Sequence, residues 1–116
     1  MTRNDGKQAP VDASSSPPPG WEAREVVVKN SLGLHTRPAT FIAKRVLAEG
    51  EECTVRITDV QSGETAQGNS ILAILSLGAA MGTRLLIEVQ GASAQKLLED
   101  LAEYFASGFE ELNTAP

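Results

Sequence analysis

The only histidine of the 116-residue chain lies in Gly33-Leu34-His35-Thr36-Arg37-Pro38-Ala39, directly before a predicted helix. Imidazole changes its charge near neutral pH, so a large share of molecules carry the neutral ring, which is a competent nucleophile toward phosphorus. The first backbone N–H groups of a helix have no intrahelical partner and suit an anion such as phosphate. Arg37 adds a guanidinium that can bind phosphate through two donors. A lone histidine in a small protein is most often an ordinary surface or core residue, but this segment also fits a phosphoryl group carried on His35 and stabilised by Arg37.

Two other residues of this segment shape the start of the helix. Pro38 fits the first turn because its missing N–H would have had no partner there. It also disfavours the α region for Arg37, so the sequence leaves the first helical residue open by one or two positions. Gly33 has no side chain and therefore permits an unusual backbone conformation in the approach to the helix.

The sequence offers His35 no second catalytic group. There is no other histidine for a metal pair, and Cys53 falls on a predicted strand, where a small core residue is expected. The chain contains neither a Walker A loop nor a Gly-x-Gly-x-x-Gly pattern. We therefore expect no cofactor and no metal, and a phosphoryl carrier instead of a self-sufficient enzyme.

Ser70 is a second candidate site because it precedes another predicted helix. Its simplest role is the N-cap of that helix, with its side-chain oxygen accepting from a first-turn N–H. A helix N-terminus also stabilises a phosphoserine, so modification would leave the domain folded. The apolar residues that follow, Ile71, Leu72 and Leu75, would form a docking patch, although we expect some of them to be buried in the core.

Composition and charge restrict the class of partner and the compartment. The formal net charge of −5 argues against nucleic acid as the main partner. Between residues 26 and 48, however, there are four basic residues and no acidic one, which favours docking of an acidic or phosphorylated protein over a merely solvated surface. One cysteine excludes an internal disulfide, and no apolar run is long enough to insert into a membrane. We expect a cytoplasmic protein.

Hydrophobic periodicity predicts one folded domain at residues 23–113, after a disordered Pro- and Ser-rich tail at 1–22. Strands are predicted at residues 24–29, 53–58, 64–68 and 83–90, and helices after Pro38, at 71–75 and after an N-cap at Ser93. The first helix should bury Ala39, Ile42, Ala43, Val46 and Leu47, and the last Ala94, Leu97, Leu98, Leu101 and Phe105. The order βαββαβα predicts a two-layer α+β sandwich: a four-stranded, mainly antiparallel sheet with three helices on one face.

The segment around His35 closely resembles the active-site motif of HPr, the histidine-containing phosphocarrier family of the bacterial phosphoenolpyruvate-dependent phosphotransferase system. The stretch Asn69-Ser70-Ile71-Leu72-Ala73-Ile74-Leu75-Ser76-Leu77-Gly78 resembles the serine-phosphorylation motif of the same family. The resemblance runs from about residue 25 to about residue 112 and keeps the element order predicted above. It implies an open-faced β-sandwich in which His35 accepts a phosphoryl group on its δ nitrogen.

The resemblance also implies partners. Phospho-Enzyme I would supply the phosphoryl group and IIA-type domains would receive it, with Arg37 stabilising the group in between. Docking would involve Thr36, Thr40, Ile71, Leu72 and Leu75. Ser70 would be the target of an HPr kinase/phosphorylase, and its phosphate would discourage Enzyme I.

Alternatives remain open at this point. A regulatory binding protein controlled at Ser70, without sugar transport, is the main one, although such a protein would not need His35. A nitrogen-type phosphotransferase branch would use the same chemistry. A structural interaction domain with neither modification is disfavoured by the joint presence of both motifs. We expect a monomer.

Overall fold

The computed structural model describes residues 20–50 and 52–111. Most of the predicted tail, residues 1–19, lies outside the described residues, and so does the C-terminal stretch 112–116. The elements are β1 (Trp21–Val27), α1 (Thr36–Leu47), β2 (Thr54–Asp59), β3 (Thr65–Gln67), α2 (Ile71–Ser76), β4 (Arg84–Gln90) and α3 (Ala94–Ala106). The order is βαββαβα, as predicted. The first strand begins earlier than expected, so that Trp21 and Glu22 belong to the sheet.

The four strands form one sheet in the order β1-β4-β2-β3. All three pairings are antiparallel, with Arg24 opposite Ile87, Ile87 opposite Ile57, and Ile57 opposite Ala66. These four residues show how one row of side chains crosses the sheet. Antiparallel strands alternate their side chains between faces, so one face can meet a helix layer while the other faces solvent.

The core lies between the sheet and the helices. Leu85, Ile87 and Val89 of β4 are fully buried, as are Val55 and Ile57 of β2. The helices contribute the stripes that periodicity predicts, and the buried members are Ala39, Ile42, Ala43, Val46, Ala94, Leu97, Leu98, Leu101 and Phe105. The two-layer α+β architecture predicted from the sequence is therefore confirmed.

The other face of the sheet carries charged and aromatic side chains. Arg56 forms an ion pair with Glu88 at 3.2 Å, and Arg84 pairs with Glu25 at 3.2 Å. The guanidinium of Arg56 also lies over the Trp21 ring, 4.4 Å from its centroid. This cation–π contact spans β4, which lies between β1 and β2, and ties the first residue of β1 to β2.

Three local predictions need correction. Leu47 does not widen the buried stripe of α1: it is the last helical residue, 60% exposed, and borders an open groove of about 300 Å³. Cys53 precedes β2 instead of starting it and is only partly buried, although burial still raises the pKa of its thiol. Ser93 stands at the N-cap position of α3, but its side chain makes no capping hydrogen bond there.

Candidate functional site

The loop between β1 and α1 fixes where the helix begins. Beyond the end of β1, the N–H of Val28 donates to Thr83 O at 2.9 Å and so keeps the chain beside the start of β4. At the other end of the loop, the N–H of Leu34 donates to Ala79 O at 2.9 Å. Gly33 has φ +73°, and a Cβ there would lie 2.7 Å from the same Ala79 oxygen. Both facts require glycine at this position, because a side chain would be strained by the backbone conformation and would clash with the Ala79 carbonyl.

His35 occupies the N-cap position of α1 with extended backbone, φ −94° and ψ −168°. Its carbonyl accepts the first helical hydrogen bond, from the N–H of Ala39 at 3.0 Å. Its imidazole does not cap the helix, and 31% of the side chain is exposed. Pro38 is buried in the first turn, where its missing N–H removes one donor that would lack a partner. The ring therefore lies at the mouth of the helix and is available for contacts outside it.

One of those contacts is with Glu111, the last residue that the structure describes. The Nε2 atom of His35 lies 2.7 Å from Oε2 of Glu111. An ionised carboxylate can only accept hydrogen bonds, so the ring nitrogen in this contact is the one that carries the proton. The lone pair of the neutral ring is then on Nδ1. This contact fixes the tautomer and orients the ring in the way that a carboxylate orients histidines in other sites.

The Glu111 carboxylate is held from a second side by Asn30. The side-chain Nδ2 of Asn30 donates to Oε1 of Glu111 at 2.7 Å and to the Gly33 carbonyl at 2.9 Å. Asn30 is only 1% exposed, and its Oδ1 has no hydrogen-bond partner within the described residues. Because its Nδ2 donates to both Gly33 and Glu111, the buried Asn30 amide ties the loop before α1 to the C-terminal segment.

Arg37 completes the cluster from the first turn of α1. Its Nη2 donates to Oε2 of Glu111 and lies 3.5 Å from the carbonyl oxygen of Phe109. The Arg37 side chain is 59% exposed, while that of Glu111 is 13% exposed. Burial raises the pKa of the Glu111 carboxyl, but the hydrogen bonds from His35, Asn30 and Arg37 outweigh it and bring that pKa below its ordinary value. Glu111 is therefore ionised at neutral pH.

Sequence reasoning placed His35 and Arg37 together but missed Asn30 and Glu111. Glu111 is 76 residues from His35 and 81 from Asn30, and periodicity says nothing about such long-range contacts. Glu111 belongs to none of the motifs that the sequence analysis singled out. The one local signal is Gly108, which ends α3 and turns the chain back toward α1.

Ser70 is the N-cap of α2, as predicted, and its Oγ accepts from the N–H of Ala73 at 3.1 Å. Among the apolar residues that follow, Leu72 is 78% exposed, while Ile71 and Leu75 are partly buried against the core. Thr36 is exposed and Thr40 half-buried on α1. Helices α1 and α2 contact each other, but no hydrogen bond or ion pair joins Ser70 to the His35 cluster in the described part of the chain.

Within residues 20–50 and 52–111, no three His, Cys, Asp or Glu side chains come together as they would around a metal ion. Among the helices described there, none has the length and apolar character needed to cross a bilayer.

Comparison with known proteins gives consistent matches. Residues 22–107 match the family described as "PTS HPr component phosphorylation site". The chain is 41% identical over 85 residues to the phosphocarrier protein HPr of Chlamydia trachomatis, covering 73% of this chain and 74% of the relative. It is 33% identical over 88 residues to the phosphocarrier protein NPr of Proteus mirabilis, covering 76% of this chain and 94% of that protein. A crystal structure of HPr-C-His from Thermoanaerobacter tengcongensis shares the fold, with a TM-score of 0.68 at 23% identity, covering 78% of this chain and 97% of that one.

Proposed function

Because the chain belongs to the HPr family of phosphocarrier proteins of the phosphotransferase system, we propose that it accepts a phosphoryl group on Nδ1 of His35. The donor is phospho-Enzyme I and the acceptors are IIA-type domains. Arg37 stabilises the phosphoryl group while His35 carries it. The protein acts as a carrier in the cytoplasm, as a monomer, and needs no cofactor, metal, nucleic acid or membrane insertion for this step.

The observation that carries this proposal is the hydrogen bond between His35 Nε2 and Glu111. It leaves the Nδ1 lone pair as the nucleophile, in line with the δ nitrogen that the family resemblance implies. The ring stands at the N-terminus of α1, where backbone N–H groups and the helix dipole favour an incoming dianion. The exposed guanidinium of Arg37, two residues after His35, supplies positive charge for the phosphoryl group.

The surface around the ring supports protein docking. Thr36, Arg37 and Leu72 are exposed, and Thr40, Ile71 and Leu75 keep part of their surface accessible. We assign this mixed apolar and basic face to Enzyme I and to IIA-type domains, since both must approach His35 in turn. Electrostatic complementarity of this kind accelerates encounter more than it strengthens a complex, which suits a carrier that must release each partner.

Ser70 is proposed as the regulatory site, modified by an HPr kinase/phosphorylase. Ser70 is half-buried, and its Oγ already accepts from the N–H of Ala73 in the first turn of α2. A phosphate there can keep a capping contact while it adds negative charge next to the exposed Leu72. That charge would repel an acidic partner. Whether the carrier serves sugar uptake or a nitrogen-type branch depends on which IIA-type domain accepts the group.

The test is incubation with phosphoenolpyruvate and Enzyme I, followed by intact mass. We expect one added phosphate that is acid-labile and alkali-stable, absent from His35→Ala and retained in Ser70→Ala. The His35→Ala protein should keep the wild-type circular dichroism spectrum, because 31% of the side chain is exposed and none of it caps the helix. Transfer of the label to a IIA-type domain completes the assay.

A different outcome would favour the alternative function. If phosphoenolpyruvate and Enzyme I leave the mass unchanged, while an ATP-dependent HPr kinase adds an acid-stable phosphate that Ser70→Ala lacks, regulation at Ser70 is the function. In the carrier case, Ser70→Asp should slow labelling by Enzyme I, since it mimics the added charge.

A further inference from the structure

The turn after α3 has an unusual backbone. Gly108, Phe109 and Glu110 have φ values of 68°, 58° and 63°, so three consecutive residues are left-handed and two of them are not glycine. Side chains with a Cβ rarely adopt this region, and residues held there cluster at functional sites. The surroundings must therefore impose this conformation.

Two sets of contacts impose it. Phe109 is fully buried against Phe105, with ring centroids 4.9 Å apart, and against Tyr104 at 5.1 Å. The backbone N–H of Phe109 donates to Tyr104 O at 3.0 Å, and that of Glu110 donates to Ser107 Oγ at 3.1 Å. The aromatic anchor and the hydrogen bonds lock the turn to the end of α3.

The locked turn delivers one side chain to the candidate site. Directly after it, the Glu111 N–H donates to Gly108 O at 3.0 Å, and the Glu111 carboxylate reaches Asn30, His35 and Arg37. The neighbouring Glu110 lies in the same turn, yet its side chain is exposed. The turn therefore distinguishes two adjacent glutamates and places one of them on the imidazole.

We propose that the turn Gly108–Glu111 is a positioning device for phosphoryl transfer, in which Phe109 anchors the turn and Glu111 holds the proton on His35 Nε2. This inference rests on the proposed carrier function of His35. Glu111 and Phe109 are positioning residues: neither forms a bond to phosphorus, and Phe109 acts only through Glu111.

Transfer of the phosphoryl group from the donor to His35 needs no other reactant. The Nδ1 lone pair of His35 forms the new N–P bond, the bond between phosphorus and the donor breaks, and its electron pair leaves with the donor atom. The Nε2 proton stays on the ring, shared with Glu111. As Nδ1 gives up its lone pair, the ring becomes positive, and the adjacent carboxylate stabilises that charge where it develops.

The experiment uses phosphoramidate, a small N–P donor that needs no docking partner, and follows the intact mass of the full chain with time. His35 is the only histidine, so ¹⁵N NMR of ring-labelled protein reports its tautomer without ambiguity. In wild type we expect protonated Nε2 and bare Nδ1. Glu111→Ala should lose this preference and accept phosphate about tenfold to a hundredfold more slowly, as when a histidine loses its orienting carboxylate.

Two further variants separate the parts of the device. In Glu111→Gln the amide oxygen can still accept from Nε2–H, so the tautomer should persist while the rate falls, because the negative charge is gone. The matched control is Glu110→Gln, the same change one residue earlier, and it should match wild type in both readouts. A merely structural role of Glu111 would leave the tautomer unmoved.

The anchor is tested by Phe109→Leu, which keeps an apolar residue of similar size in the core. It should shift the tautomer in the same direction as Glu111→Ala, and the double variant should be no slower than Glu111→Ala alone, since residues acting through one another are not additive. An additive double variant would overturn the anchor role of Phe109.

The inference fails if Glu111→Ala keeps the wild-type tautomer and phosphoramidate rate, or if phosphoramidate does not label His35 in the wild-type protein. It stands, while the proposed partners fall, if phosphoramidate labelling depends on Glu111 but Enzyme I does not label the protein.

Discussion

The two helix starts that carry the candidate sites are built in opposite ways. At α2 the N-cap side chain serves its own helix, because Ser70 Oγ accepts from the N–H of Ala73. At α1 the N-cap residue is His35, whose side chain gives the helix nothing and contacts Glu111 from the far end of the chain. Pro38 partly replaces the missing cap by removing one donor from the first turn.

The side chain at the start of α2 therefore supports the fold, whereas the side chain at the start of α1 is available for a reaction. A side chain that caps its helix is committed to the fold, and modifying it acts on the helix as well as on any partner. A side chain released from capping can be oriented for reaction, provided that another group holds it. His35 at the start of α1 is such a side chain, and the group that orients it is Glu111, which is distant from it in the sequence.

The two helix starts should differ most in the rate at which phosphate is accepted, which is set at α1 by His35 and Arg37. Arg37→Gln should accept phosphate from phosphoramidate about 100-fold more slowly, the usual consequence of removing one donor to a developing anion. The matched control is Arg24→Gln, which removes the same charge from the exposed residue Arg24 on β1. Mass spectrometry over time measures both rates. Equal rates in the two variants would mean that Arg37 plays no part in the chemistry.

The two helix starts should also differ in how much their N-cap residues contribute to the stability of the fold. Ser70→Ala should lower the free energy of unfolding by about 1 kcal/mol, the typical value of an N-cap. Ser70→Asp keeps a capping oxygen and should stay within about 0.5 kcal/mol of wild type. His35→Ala should also lie within about 0.5 kcal/mol, because Glu111 retains its contacts with Asn30 and Arg37. Urea denaturation measures the free energy of unfolding of all three variants. A larger loss of stability in His35→Ala than in Ser70→Ala would show that His35, and not Ser70, is the N-cap residue whose side chain supports the fold.

The smallest effect is a difference in pH dependence. Since the pKa of Glu111 is lowered in the folded protein, its carboxylate adds stability above the ordinary carboxyl pKa, and this is lost as the pH falls through the lowered value. The deficit of Glu111→Gln, below about 1 kcal/mol at pH 7, should shrink on acidification to pH 3. The deficit of Ser70→Ala should stay constant, because a hydroxyl does not titrate there. Thermal unfolding between pH 7 and pH 3 compares the two.

Most of the fold could be predicted from the sequence because its elements are amphipathic. The apolar spacing of Ala39, Ile42, Ala43 and Val46 matches a helix with one buried face, and all four are buried. Periodicity failed at Leu47, since it cannot tell where the neighbouring layer stops. It also failed at Ser93, where the residue type favours a cap but the backbone, at φ −104° and ψ 24°, does not have the extended geometry usual for one.

The candidate site could be predicted only as far as its local part. His35, Arg37 and Ser70 belong to short motifs whose chemistry follows from residue type and position. Asn30 and Glu111 do not, because their contact depends on how α3 ends and on the left-handed turn that follows it. A pattern along the chain carries no information about which of two adjacent glutamates will turn inward.

The packing of Arg56 over Trp21 has a practical consequence for optical work on this protein. Trp21 is the only tryptophan, and it begins β1, about 20 Å of strand from the residue at which β1 ends, on the way to the His35 loop. Its emission therefore reports the integrity of the sheet edge, where unfolding removes the guanidinium from the ring. Unfolding can be followed by tryptophan fluorescence in every variant of the site, since none of the substitutions replaces Trp21 or Arg56.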